Sequence, residues 1–299
     1  MASIAESLAG STPALWVEVT PPRGANPAPL LEKLRALHSH ADAINLTDNS
    51  LGNVKMSNLA FGSLIKSRLE IAAVINVSCR DRNRLALRAD LLGASALGID
   101  AVVALTGDKI PPEADGSVVV SHDVNAFGLL AIIAALNRGD TGDGKPLLKS
   151  PPRIYAGAVA NPNRQDLERE FNLLERKAAA GAKFVVTQPV FDANRAIRFV
   201  ARASALGMHT VLGILPVKRE AMAAYMKAKV KDLAGASDHL DSFAGMSEAA
   251  VRNRSIADNM ALMKSLASQV AGFNIMSGGG PSLAIELALE FDKWRKQIA

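Results

Sequence analysis

The sequence predicts an α/β chain folded as one closed (βα)8 barrel, and three observations carry that expectation. The chain has 299 residues, close to the roughly 250 residues plus insertions of such a barrel. Eight short apolar runs alternate with stretches of helical period, the pattern of parallel βα units. Hydrophobic residues make up 49% and aromatics 4%, so the core is aliphatic, as suits parallel strands covered on both faces. The span 1–299 is read as a single TIM-barrel domain, since no composition shift, repeat or low-complexity tract divides it.

The first strand is read at 15–20 (LWVEVT), followed by the helical run LLEKLRALHSH. The second lies at 42–48 (DAINLTD) and the third at 71–77 (IAAVINV), with RNRLALRADLLGASAL behind it. The fourth, 100–106 (DAVVALT), leads into NAFGLLAIIAALNRG and a Gly/Pro-rich surface loop at 139–152. The fifth, 153–160 (RIYAGAVA), precedes RQDLEREFNLLERKAAAG, where apolar residues recur every three to four positions. The sixth and seventh are 182–188 (AKFVVTQ) and 209–215 (HTVLGIL). A less regular stretch, 216–246, contains a helix and a loop around LAGASDHLDS; a long helix then runs from Ser247 to Ser268. The eighth strand, 272–277 (GFNIMS), precedes the helix SLAIELALEFDKW.

Charge and composition exclude several classes. The net charge of +5 is spread along the chain, and no dense Lys/Arg block with interleaved aromatics marks a nucleic-acid surface. Cys79 is the one cysteine, which rules out an intrachain disulfide and a Cys-rich metal site. Among the five histidines only His38 and His40 stand close, and they are expected to meet solvent. No stretch reads as a transmembrane span, and the N-terminal residues lack the pattern of a signal peptide. A cytoplasmic location with no membrane partner is expected.

Polar residues on the strands point to a site. Side chains of a strand alternate between its faces. With Val17 and Val19 toward the helices, Glu18 and Thr20 face inward; with Ile44 and Leu46 outward, Asn45 and Thr47 face inward. Strand three offers Asn76. In strand four, Val103 and Leu105 are read as outward, placing Thr106 and Asp108 on the inner side. Strand five ends at Asn161 and strand six at Gln188. Any one of these has a structural explanation. Together they gather at the C-terminal strand ends, where barrel enzymes place their active sites.

The segments VEVTPPRG (17–24), DAINLTDN (42–49), SCRDRN (78–83), ALTGD (104–108), GAVANP (157–162), ERKAAAGAKFVVTQPVFD (175–192) and GILP (213–216) resemble the methylenetetrahydrofolate reductase family in order and spacing, over nearly the whole chain. The resemblance implies reduction of 5,10-methylenetetrahydrofolate to 5-methyltetrahydrofolate, in the one-carbon metabolism that feeds methionine biosynthesis. It implies NADH or NADPH as hydride donor, and FAD as the intermediate carrier, with FMN or no flavin as alternatives. By the same resemblance Glu18 and Asp108 are the catalytic carboxylates. Gln188 and Asp108 hold the substrate, and Thr47, Asn76, Asp108, Asn161 and Lys177 fall where flavin contacts are made. Asn76 departs from the pattern, since flavin-containing relatives often have histidine there, and IMSGGGP (275–281) departs as well. A flavin-independent reductase of the same fold, and a subunit acting only within a larger complex or a homo-oligomer, are the competing readings. A long exposed apolar helix, for which 247–268 is the candidate, would favour the subunit reading.

The reaction requires an acid. The one-carbon unit of the substrate is closed in a ring between two nitrogens, and protonating one of them opens it to an iminium ion that accepts hydride. A carboxyl group desolvated on a barrel wall stays protonated near neutral pH, and Glu18 fits that role directly or through a water. Asp108 and Gln188 have the donor and acceptor sets to grip a pterin edge. Gly278, Gly279 and Gly280 before the last helix suit either a phosphate or a tight turn that requires glycine.

Overall fold

Eight parallel strands close on themselves in sequence order: β1 (Ala14–Val19), β2 (Ala43–Leu46), β3 (Ala72–Ser78), β4 (Ala101–Leu105), β5 (Tyr155–Ala160), β6 (Phe184–Pro189), β7 (His209–Ile214) and β8 (Gly272–Ile275). The structure is a computed structural model and describes residues 2–110, 120–121, 123–229, 236–278 and 280–298. Every expected strand is present, with each end within two residues of the sequence reading. Closure is made by β1 against β8, where Trp16 is the partner of Asn274, while on its other side Glu18 is the partner of Asn45 on β2.

The helices are α1 (Ile4–Leu8), α2 (Ala28–Leu34), α3 (Asn58–Leu69), α4 (Arg84–Ala96), α5 (Ala126–Asn137), α6 (Leu167–Ala179), α7 (Ala193–Ala205), α8 (Glu220–Lys229), α9 (Ser237–Asp241), α10 (Glu248–Leu266) and α11 (Ser282–Ile298). Local chemistry sets where several begin. Asn83, Asn125, Asp166, Asp192 and Ser247 each accept a backbone N–H of the first turn through the side chain, satisfying a donor that the helix itself leaves free. The sequence reading did not name α3 or α7. For α7 a signal existed: the Asp192 cap precedes Ala196, Phe199, Val200 and Ala203, all buried at helical spacing. The expected long helix, α10, buries Val251, Ile256, Met260, Met263 and Leu266, so it is not an exposed apolar helix awaiting a partner.

Two apolar layers follow from strand alternation. The outer layer, between strands and helices, holds Val17, Val19, Ile44, Leu46, Val102, Ala104, Val185, Leu212 and Ile275. The inner one fills the lower lumen with Trp16, Ala43, Val74, Val103, Phe184, Val186 and Val211, and Ile4 and Leu8 of α1 join it from below. Phe184 stacks on Tyr155 at 5.3 Å and meets Trp16 edge-on at 5.7 Å. Gly157 makes room for this group, because a Cβ there would lie 2.3 Å from the Phe184 ring.

Two expectations are corrected. Val103 and Leu105 of β4 face inward, not outward, and Val102 and Ala104 take the outer side. The strand AVVAL is apolar on both faces, so its sequence holds no contrast from which the inner face can be read. Nor do His38 and His40 simply meet solvent: their Nδ1 atoms lie 2.8 Å from the Leu69 carbonyl and the Asp292 carboxylate.

Candidate active site

Glu18 is the one acidic side chain carried by β1, and it faces the lumen above Trp16. Its Oε2 accepts a hydrogen bond from Nδ2 of Asn274, at 3.2 Å. Asn274 Oδ1 in turn accepts from Nδ2 of Asn45, at 3.4 Å. Both amides are shut off from solvent, whereas Glu18 is half-buried. Desolvation pushes the Glu18 carboxyl up to about 7, with the Asn274 N–H pulling the other way. Thr47, past the end of β2, donates to the hydroxyl of Thr20, past the end of β1. Asn76 on β3 is buried, and its Oδ1 has no partner among the described residues.

The loops above β2, β3 and β4 are tied together by two arginines. Arg80 is buried and forks onto the Asp81 carboxylate at 2.6 and 2.7 Å. Its Nη atoms also donate to the carbonyls of Asn49 and Asp108. Arg82 donates to the buried Asp48 carboxylate at 2.6 Å and to Asp90 at 2.8 Å, while Asp48 also accepts the Ser78 N–H. Gly107 lets β4 end against this brace: its φ is +100°, and a Cβ would lie 2.4 Å from Ser78 Oγ. Asp108 thereby comes to the mouth, exposed, with its carboxylate accepting the Leu51 N–H. With Arg80, Thr106, Lys109 and Asn125 it lines a cavity of about 700 Å³.

Gln188 owes its exposure to an irregularity. The β6–β7 register slips between Val186 and Pro189, and the Thr187 hydroxyl bridges the slip, accepting from the Gly213 N–H and donating to the Gln188 carbonyl. A bulge of this kind re-aims a strand-end side chain, and Gln188 is exposed while its neighbours are buried. Asn161 and Lys177 are already engaged. Asn161 Oδ1 accepts the Asn163 N–H, and its own N–H donates to Glu170. Lys177 Nζ donates to the Val159 carbonyl at 2.7 Å and lies 3.8 Å from Glu170; burial holds its pKa below the usual lysine range.

Glu18, Thr47, Asp108 and Gln188 lie at or just beyond the C-terminal ends of β1, β2, β4 and β6, and of these four Asp108 lines the cavity just described. No hydrogen bond among the described residues joins Glu18 to Asp108 or Gln188. Asn274 was not picked out from the sequence, although Phe273 and Ile275 on either side of it mark it as inward. Arg80 and Arg82 carried no comparable signal, because their partners are distant in the chain.

Residues 3–277 match the family model described as methylenetetrahydrofolate reductase. The chain belongs to that family. A relative from Pectobacterium carotovorum subsp. carotovorum, named 5,10-methylenetetrahydrofolate reductase, is 29% identical over 155 residues. That match covers 51% of this chain and 46% of the relative, so the chain spans about half the length of the curated relative. Among solved structures, an uncharacterized protein from Clostridium thermocellum, described as binding two copies of 5-methyl-5,6,7,8-tetrahydrofolic acid, superposes with a TM-score of 0.64. Its identity is 15%, with 97% of this chain and 99% of that one covered. Tryptophan synthase from M. tuberculosis reaches 0.52 at 15% identity, covering 97% and 95%; likenesses this remote show the shared barrel alone.

In the segment IMSGGGP of this family member, Gly278 has φ +43° and Gly280 φ +133°, backbone that favours glycine, and Gly279 lies outside the described residues. Lys218, Arg219 and Arg252 line a second cavity of about 700 Å³ together with Gly278 and Gly280. Among the described residues no helix is long and apolar enough to cross a membrane, and no cluster of His, Cys, Asp and Glu could hold a metal.

Proposed function

We propose that the chain reduces 5,10-methylenetetrahydrofolate to 5-methyltetrahydrofolate with NADH or NADPH as hydride donor. The observation that carries this reading is Glu18, a lumen carboxyl with its pKa raised to about 7 at the catalytic end of the barrel. An acid of that pKa is protonated in a useful fraction at neutral pH and yet gives its proton up readily. Glu18 delivers the proton that opens the substrate ring to the iminium ion, and hydride then adds to the one-carbon unit. Asp108 and Gln188, both exposed at the mouth, orient the pterin. The direct test is NAD(P)H oxidation by the purified protein, with and without methylenetetrahydrofolate. Oxidation that does not depend on the folate would sink the proposal.

The family resemblance implies a flavin, and part of the wall fits one. Asn76 Oδ1 is a buried acceptor without a partner among the described residues, and the Thr47 hydroxyl and Asp108 carboxylate stand beyond the ends of the two strands that flank β3. These three residues would hold the group, and Asn161 and Lys177 would shape the wall behind them. A bound flavin would supply hydride storage between the nicotinamide and the folate. Protein purified without stripping is expected to carry about one flavin per chain, read from its visible absorbance. A colourless protein whose folate reduction is unchanged by added FAD or FMN would establish direct transfer from the nicotinamide instead.

Recognition is tested at Gln188. Its side chain is exposed and has no partner among the described residues, so Gln188→Ala should leave the melting temperature unchanged. Folate loses a hydrogen-bond partner, which costs roughly 1–3 kcal/mol, or about 5- to 150-fold in affinity. NAD(P)H oxidation with an artificial acceptor should fall far less. Equal losses in both assays would assign Gln188 to the fold.

A further inference from the structure

We infer that Asn274, held by Asn45, is a positioning residue for Glu18: by donating to Oε2 it confines the carboxylic proton to Oε1, the oxygen left free for substrate. This rests on the reading of Glu18 as the proton donor. An amide nitrogen donates and cannot accept, so the oxygen that faces Asn274 Nδ2 at 3.2 Å cannot carry a proton toward it. Asn45 supports this orientation: its Nδ2 points at Asn274 Oδ1, while its own Oδ1 has no partner among the described residues. With Asn45 kept as it stands, a flipped Asn274 would set two NH₂ groups against each other and turn its oxygen to Glu18. Oε2 would then take the proton, directed at the barrel wall. Both asparagines are buried, where an unmatched polar contact is costly.

Asn274 is also the one described side chain that hydrogen-bonds to Glu18. Polar side chains reach the lumen or its mouth as Thr20 after β1, Asn45 and Thr47 along β2, Asn76 and Ser78 along β3, Gln188 on β6 and Asn274 on β8, and none of these is charged. The other titratable lumen groups, Tyr155 and His209, stand at the opposite floor, where Tyr155 stacks on Phe184 and His209 bonds the Leu8 carbonyl. Asp48, Arg80, Arg82 and Asp108 lie in loops beyond the strand ends.

The experiment follows the Glu18 carboxyl in protein carrying ¹³C-labelled glutamate, by difference infrared spectroscopy across pH, with Glu18→Gln to assign the band. Asn274→Leu keeps the size and removes the donor. It should raise the Glu18 midpoint by about one pH unit, because a hydrogen bond to the carboxylate favours the charged form. The alkaline limb of folate reduction should rise by the same amount, with kcat lowered and KM for folate little changed. Asn45→Leu leaves the Glu18–Asn274 contact in place and releases only its lock; it should shift the midpoint less, in the same direction, and it serves if Asn274→Leu does not fold. Unmoved midpoints in folded variants, or a loss of activity without a shifted limb, would overturn the assignment. A shifted midpoint in a protein that reduces no folate would overturn the reaction and leave the positioning of the carboxyl standing.

Discussion

Glu18→Gln is expected to lower folate reduction by on the order of 10²–10⁴, the usual cost of removing a general acid, while the protein stays folded and binds folate nearly as before. Glutamine keeps the volume of a protonated glutamic acid and can still accept the Asn274 N–H at the same place. It has no proton to give, so the substrate ring stays closed. With a flavin bound, nicotinamide oxidation by an artificial acceptor needs no such proton and should persist. Stability supplies an independent reading. The Glu18 pKa is about 7 in the folded chain against 4.5 for the free group, so across that interval the folded state holds more of the proton than the unfolded one. Wild-type stability therefore falls as pH rises from about 4.5 through 7. The glutamine variant lacks this decline and should be the more stable protein at pH 8, by about 1–3 kcal/mol. Normal folate turnover in a folded variant would remove the mechanism. A variant less stable at pH 8, with both activities lost, would make Glu18 a tether of the barrel wall.

Arg82→Met should destabilise the chain by about 3 kcal/mol, lowering the melting temperature by roughly 5–10 °C. The Asp48 side chain is 3% exposed and takes its shortest hydrogen bond, 2.6 Å, from Arg82. Methionine fills much of the same space but leaves a buried carboxylate with only the Ser78 N–H among the described residues, which is far from sufficient compensation for a charge. The loops above β2 and β3 lose their shared anchor, so folate reduction should weaken along with stability. Adding Asp48→Asn to Arg82→Met should recover a large part of the loss, since a neutral amide oxygen can accept the Ser78 N–H without the cost of a stranded charge. A loss below about 1 kcal/mol in the single variant, the range of exposed ion pairs, would show that Asp48 is better solvated than its burial indicates.

Much of the site was legible because contrast was present. Glu18 stands between two valines on an apolar strand, and Asn45 between isoleucine and leucine, so alternation alone turns each inward. Where a strand is apolar on both faces, as in β4, that contrast disappears and the inward residues were assigned to the wrong side. Gln188 was legible as a polar strand end, but its exposure comes from the slip in β6, which depends on where Gly213 and Thr187 meet. The resemblance placed Lys177 and Asn161 among flavin contacts, while their partners within the chain, the Val159 carbonyl and Asn163 N–H, are visible only in the folded chain.

What the sequence by itself determined was the number, order and approximate limits of the strands, the caps of several helices and the inward parity of strands with a polar–apolar contrast. These are local properties, set by period, propensity and capping over a few residues. Only the tertiary structure decided which inward groups meet. Glu18 and Asn274 are 256 residues apart in the chain and become neighbours because the sheet closes β8 onto β1. Arg82 and Asp48 meet across 34 residues because two strand-end loops lie side by side. Such contacts arise from barrel closure and loop packing, and the desolvation that raises the pKa of Glu18 exists only once the barrel has shut around it.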